Sequence, residues 1–236
     1  MSRPLAYDIA RMIAGAANGV PRGIDRVDFG WLSHLFENWP GDCHGLLPTP
    51  WGTRVLSRES VLRGRDRLAR IWRERDLDEV PDPALARLNL AFAAPPNSTD
   101  RARRPRDPDI AGWGRALALL GAFGPWVGRS LDRLPEGTIY VDVSQRGLVR
   151  PSTLTWLARR RDLRPVVFIH DVIPLAHPEF VTPSLRERHG HLLDAAARHA
   201  HAVVTSTPSA AEAIGAEVAA RGRADLPVHV RALPID

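Results

Sequence analysis

The alternation of hydrophobic and polar positions changes period several times along the chain, and each change marks an element. Leu5, Tyr7 and Ile9 alternate with smaller or polar neighbours, which predicts a first strand ending near Met12. A glycine-bearing loop with Gly15, Asn18, Gly19, Pro21 and Gly23 is expected next. Ile24, Val27, Trp31, Leu32, Leu35 and Phe36 then recur at helical spacing until Pro40 and Gly41 stop the helix. Leu46, Leu47, Val55 and Leu56 supply short strands around a turn at Pro48–Gly52, and the charge-rich stretch Ser60–Asp78 reads as an exposed helix. Pro95–Pro108 carries prolines and arginines without periodicity and is expected to be a mobile loop within a domain. Trp113–Leu131 is apolar but broken by glycines, and is expected to cover the core or to lie as an amphipathic segment on a membrane surface.

From Thr138 onward the rhythm is regular. Strands are predicted at Ile139–Val143, Val166–Ile169, Ala202–Thr205 and Val228–Arg231. Helices are predicted between them at Ser152–Arg161, Pro183–His199 and Pro208–Arg221. Short, nearly continuous apolar strands that alternate with helices predict an α/β fold, a Rossmann-like parallel sheet with helices on both faces. Residues 1–236 are expected to form this one domain. In such sheets ligands collect outside the carboxyl ends of the strands, so the loops after Ile9, Val143, Ile169 and Thr205 are the places to look for a site.

Composition narrows the class. The 236 residues are 44% hydrophobic and 25% charged, enough to bury a good-sized core. The longest apolar stretches, Ala116–Phe123 and Val166–Ile169, fall far short of the roughly 18 to 20 residues a membrane span needs. The N-terminus enters patterned sequence directly, with neither the apolar run nor the small-residue cleavage site of a signal peptide, which leads to the expectation of a cytoplasmic protein. The single Cys43 forms no internal disulfide and reads either as an inert core thiol or as a sign of a reducing compartment. Net charge is +5, and every one of the 32 Lys+Arg positions is arginine. Arginine grips phosphates in a bidentate fashion and suits an anionic partner, but scattered arginines balanced by nearby acids also describe an ordinary solvated surface. No nucleic-acid-binding motif accompanies the charge, so no nucleic-acid partner is expected.

Two short segments carry candidate chemistry. Gly23-Ile24-Asp25-Arg26 opens a helix, where free backbone N–H groups and the helix dipole favour an anion, although a glycine before a helix is also a common turn. His170-Asp171 ends a buried strand, where an imidazole can bond a hydroxyl and a neighbouring carboxylate can tune it, or both can be structural. His189 and His191 lie two residues apart on a predicted helix and so point about 200° apart, and His199 and His201 straddle its end. No metal site is expected.

The blocks Tyr7-Asp8-Ile9 with Gly23-Ile24-Asp25-Arg26-Val27-Asp28, Tyr140-Val141-Asp142-Val143-Ser144, and His170-Asp171-Val172-Ile173-Pro174-Leu175-Ala176-His177-Pro178-Glu179 continuing to Val204-Thr205-Ser206-Thr207 carry a resemblance. They are similar to the N-terminal domain of family-4 glycosyltransferases of the GT-B fold, which build bacterial surface polysaccharides. The resemblance covers residues 5–36 and 138–232 and is faint between them. It implies a retaining, metal-independent hexosyl transfer from a nucleotide sugar, with no cofactor, to a glycan or lipid-linked acceptor. It places Gly23, Ile24, Asp25 and Arg26 near the donor phosphates or acceptor, His170 and Asp171 at the reacting centre, and Ser206 closing the cleft after its strand. The family continues into a second, donor-binding domain, whereas this sequence ends at Leu233-Pro234-Ile235-Asp236. The expectation is therefore an acceptor-side half that works with a separate donor-binding domain or partner glycosyltransferase, with peripheral contact at the inner membrane face. The spacing of Glu179 and Glu187 matches the family's donor-side carboxylate pair, but these residues lie in the first domain, and the match is read as coincidence. A different class is also compatible: a non-catalytic binding or scaffolding domain that docks on a partner enzyme, for which an exposed apolar patch would speak.

Overall fold

The computed structural model describes residues 2–49, 52–77, 110–124, 129–146, 148 and 151–233. The expected loop at 95–108 lies outside the described residues. Among the described residues, eight strands form one sheet in the order β4-β3-β2-β1-β5-β6-β7-β8. They are β1 (Leu5–Asp8), β2 (Cys43–Thr49), β3 (Gly52–Ser57), β4 (Arg129–Ser130), β5 (Ile139–Asp142), β6 (Arg164–Phe168), β7 (Ala202–Thr205) and β8 (Val228–Val230). Pairings from β2 across β1 to β8 are all parallel, while β3 runs antiparallel to β2 and the two-residue β4 antiparallel to β3. The fold is α/β and Rossmann-like, with a mixed, mostly parallel sheet.

The antiparallel β2–β3 edge supplies the short strands expected around the turn at Pro48–Gly52. Thr49 is register partner of Gly52, and a connection that short cannot carry the crossover that parallel strands require. Thr49 Oγ1 donates to Gly52 O at 2.6 Å, and Gly52 sits at φ 105°, a value that favours glycine.

Strand alternation sorts side chains onto two cores. Leu5, Tyr7, Leu47, Val141 and Phe168 face one side, and Ala6, Leu46, Tyr140 and Val167 face the other. The first side is covered by α1 (Ala10–Asn18), α2 (Gly23–Asn38), α3 (Arg58–Leu77) and α4 (Ile110–Ala122). The second is covered by a 3-10 segment (Pro151–Ala158) and, after the short α5 (Ile173–Ala176), by α6 (Pro183–His199) and α7 (Pro208–Ala220). Helices on both faces are as expected.

Three local expectations are corrected. Residues 10–18 form α1, not a strand end and loop, because Met12, Gly15 and Ala16 share one buried face. Gly15 lies close against Trp72 there. A Cβ would meet the Trp72 ring at 3.1 Å, and Trp72 Nε1 donates to Gly15 O at 3.2 Å. The stretch expected as an exposed helix, α3, is amphipathic, burying Val61, Leu68, Ile71 and Trp72 against α1 and the sheet. The helix expected after β5 is wound as a 3-10 segment. Its Pro151, Ser152, Thr153 and Thr155 are poor α-helix formers. In the apolar stretch from Trp113, α4 packs on α1 and α3 through Ala116 and Leu119, with Arg115 donating to the Ala16 and Ala17 carbonyls, while Trp113 and Leu117 remain exposed. Among the described residues no helix is long and apolar enough to cross a membrane.

Candidate functional site

The chain leaves β1 for β2 on one side and returns to β5 on the other, so a crevice opens outside the carboxyl ends of β1 and β5, where ligands bind in sheets of this kind. A cleft of about 630 Å³ lies at this end of the sheet. One wall is the start of α2, through Gly23, Ile24, Arg26 and Val27. The opposite wall comes from the segments after β5 and β6, through Gln145, His170, Asp171 and Pro174, with Leu185 and His189 of α6 beyond them. Sequence segments far apart in the chain are thereby brought face to face.

Alternation decides which side chains reach the cleft. Phe168 points to the α2 side of the sheet, where its ring lies 6.1 Å from that of Trp31. His170, two residues on, points the same way, and the two rings are 4.7 Å apart. Burial pushes the His170 imidazole below its ordinary value, outweighing the pull of Asp171, and Arg11 adds to the depression. A neutral ring follows at pH 7. Its Nε2 is buried and has no hydrogen-bond partner among the described residues. Asp171 is half-buried. Its Oδ1 accepts from Ile173 N at 2.9 Å, tying down the turn into α5, and its backbone carbonyl lies 2.8 Å from His189 Nε2. A carbonyl can only accept, so His189 carries a proton on Nε2.

The four residues at the α2 start divide their work. Ile24 is half-buried, and Gly23 and Arg26 are exposed and line the cleft; a Cβ on Gly23 would meet nothing within 4 Å, so the backbone there is open to a ligand. Asp25 is turned inward. Its Oδ2 accepts from Arg22 N at 2.8 Å and its Oδ1 pairs with Arg11 Nε at 2.8 Å, which caps the helix and holds α1 to α2. Its carboxylate is committed within the fold. Ser206 follows β7 and is not among the residues that line the cleft.

Beneath the cleft lies a group of buried acids. Asp8 ends β1 and Asp142 ends β5, and both are essentially without solvent access, as is Asp28 of α2. Tyr7 hydroxyl donates to Asp28 Oδ1 at 2.9 Å, Tyr140 hydroxyl to Asp8 Oδ2 at 3.2 Å, and Ala10 N to Asp8 Oδ1 at 2.9 Å. Asp142 Oδ1 accepts from both Ser144 Oγ and Gln145 N at 2.9 Å, and its Oδ2 has no partner among the described residues. Burial raises all three carboxyls. Asp28 is pushed up to about 7, and Asp8 is raised further by its neighbour Asp142. Among the described residues no group of acids, histidines and cysteine has the arrangement of a metal site.

Sequence reasoning singled out His170, Asp171 and the α2 start, but not Gln145 or the acids at Asp8, Asp28 and Asp142. A signal was available. Asp8 and Asp142 each close an apolar strand one or two residues after a tyrosine, and Gln145 falls in one of the four loops marked for scrutiny. Comparison of the chain with family models, curated proteins and solved structures finds no match.

Proposed function

We propose that the chain is the acceptor-side, Rossmann-like half of a retaining glycosyltransferase of the family-4 type. It would transfer a hexose from a nucleotide sugar to a glycan or lipid-linked acceptor of a surface polysaccharide, at the cytoplasmic face of the membrane. The observation that carries the reading is the cleft. Its two walls are the segments that bear the family resemblance, Gly23 to Arg26 and His170-Asp171, and they meet at the switch point of the sheet.

The chemistry of the walls suits the task. The start of α2 offers backbone N–H groups and the Arg26 guanidinium to a diphosphate or another anion, and the opposite wall offers a neutral imidazole to a hydroxyl. In such a reaction the protein chiefly positions donor and acceptor and stabilises the departing diphosphate. His170 would hold the sugar or acceptor hydroxyl, and Asp171, bonded to the α5 turn, would keep the His170 segment in place.

The second reading, a non-catalytic domain docked on a partner enzyme, draws on exposed apolar side chains from α5 to the start of α6, of which Leu185 lines the cleft. Ile173 is 52% exposed, Phe180 77% and Leu185 42%. The two readings separate in one experiment. The chain is titrated calorimetrically with nucleotide sugars and with acceptor glycans, alone and with a donor-binding domain supplied in trans, and transfer is followed by mass spectrometry of the glycan. Micromolar binding and transfer, abolished by His170→Ala with an unchanged circular dichroism spectrum, support the transferase. Binding of a partner domain without transfer supports the scaffold. If neither sugar, glycan nor domain binds, both readings fall.

A further inference from the structure

Gln145 has a backbone conformation that a residue with a Cβ adopts only at a cost: its φ is 59°, and no other non-glycine residue among those described has a positive φ. The surrounding bonds hold it there. The buried Asp142 accepts from Gln145 N with the same oxygen that accepts from Ser144, and Ser144 Oγ in turn accepts from Arg146 N at 3.2 Å. The side chain is fixed as well, since Gln145 Nε2 donates to Phe168 O at 2.9 Å. Only the nitrogen end of an amide can donate to a carbonyl, so this bond also sets which way the amide faces. The remaining oxygen, Oε1, has no protein donor among the described residues, and Gln145 lines the cleft. His170, whose Nε2 has no partner among the described residues, stands two residues beyond Phe168, just past the end of β6.

We propose that Gln145 is a specificity-determining residue of the cleft, its Oε1 accepting a hydrogen bond from a hydroxyl of the bound sugar, and that Asp142 is the positioning residue that holds it there. The inference rests on the carbohydrate reading of the cleft. An amide oxygen repels phosphate and attracts a hydroxyl, so the cleft is divided by chemistry. The α2 wall with Arg26 takes the anionic part of a ligand, and the Gln145–His170 wall takes the neutral, hydroxyl-bearing part. The pinned amide makes the discrimination sharp, because it cannot turn its donor end to the ligand without giving up Phe168 O.

The test uses methyl glycosides of glucose, galactose and mannose with their monodeoxy counterparts, titrated against the whole chain by saturation-transfer NMR. Gln145→Gly is the informative variant: glycine accepts φ 59° without strain, so the turn is kept while the amide is removed. It is expected to melt within a few degrees of the parent protein and to bind the best glycoside about tenfold more weakly. The deoxy sugar that lacks the contacted hydroxyl is expected to bind both proteins equally. Asp142→Ala is expected to weaken binding in the same way, and Asp142→Asn, which retains the accepting oxygen, to restore it. Equal binding of the parent sugar by Gln145→Gly and the unaltered chain overturns the role of Gln145 and leaves the carbohydrate reading intact. If none of the glycosides binds the unaltered chain at millimolar concentration, the carbohydrate reading fails and this inference with it.

Discussion

The two ends of the same sheet treat their polar groups in opposite ways. At the amino end, several polar groups close on the protein itself. Thr138 Oγ1 donates to Pro135 O at 2.6 Å, Arg160 ties Leu131 O, Leu134 O and Asp162 together, and Arg223 donates to the Ala197 and Ala200 carbonyls at the end of α6. At the carboxyl end, the groups are left open. His170 Nε2 and Asp142 Oδ2 are buried without partners among the described residues, carboxyls crowd together, and Gln145 carries a positive φ. Buried polar groups are ordinarily satisfied, and local strain is tolerated where the surroundings enforce it. The difference teaches that the amino end is built for stability, whereas the carboxyl end spends stability to keep chemical groups available.

The comparison can be broken first through Asp28. Its carboxyl is raised from 3.8 to about 7 in the folded protein, chiefly by burial. The folded state therefore binds this proton more tightly than the unfolded chain. The resulting stability is fully present below about pH 4 and is lost as the pH rises to about 7, at roughly 1.4 kcal/mol per pH unit in that window. Asp28→Asn keeps an acceptor for the Tyr7 hydroxyl and carries no charge. It should flatten the decline and leave the protein more stable than its parent at pH 8, as read by urea unfolding across pH. An unchanged slope would mean that these acids are better accommodated than their burial implies.

A smaller effect is expected at the other end. Arg160→Ala removes the donor to three backbone carbonyls, those of Leu131, Leu134 and Pro135, and to Asp162, and should cost about 2 kcal/mol in the same unfolding measurement, with sugar binding unaffected. Smallest in stability is His170→Ala. With no hydrogen bond to lose at Nε2 among the described residues and partial exposure, it should change the unfolding free energy by less than about 1 kcal/mol while abolishing binding and transfer. If Arg160→Ala impaired binding, or His170→Ala cost as much stability as Arg160→Ala, the division between the two ends would not hold.

Much of the carboxyl end was legible because a strand's last residues and the loop after it lie consecutively in sequence. His170-Asp171 following Val166–Ile169 and Gly23–Arg26 opening a helical pattern announce themselves locally. The roles within those segments were not legible. Asp25 carries the same charge as a ligand-binding acid, but Arg22 N and Arg11 draw it inward, and Arg11 lies on a helix that the pattern of residues 5–12 presents as strand. Short apolar runs do not separate strand from buried helix, since one period of either fits five residues.

By itself the sequence determined the alternation of strands and helices after Thr138, the apolar strands, the stop signals, and the loops that border a parallel sheet. These follow from side-chain periodicity and backbone preferences acting over a few residues. Only the tertiary structure decided that β1 and β5 are neighbours, and so that Asp8 and Asp142 share one buried environment although most of the chain separates them. It alone decided that the Gln145 amide is pinned to Phe168 and that α2 faces His170 across a cleft. The physical reason is that burial and long-range hydrogen bonds depend on strand order and crossover geometry, which no local pattern of residues encodes.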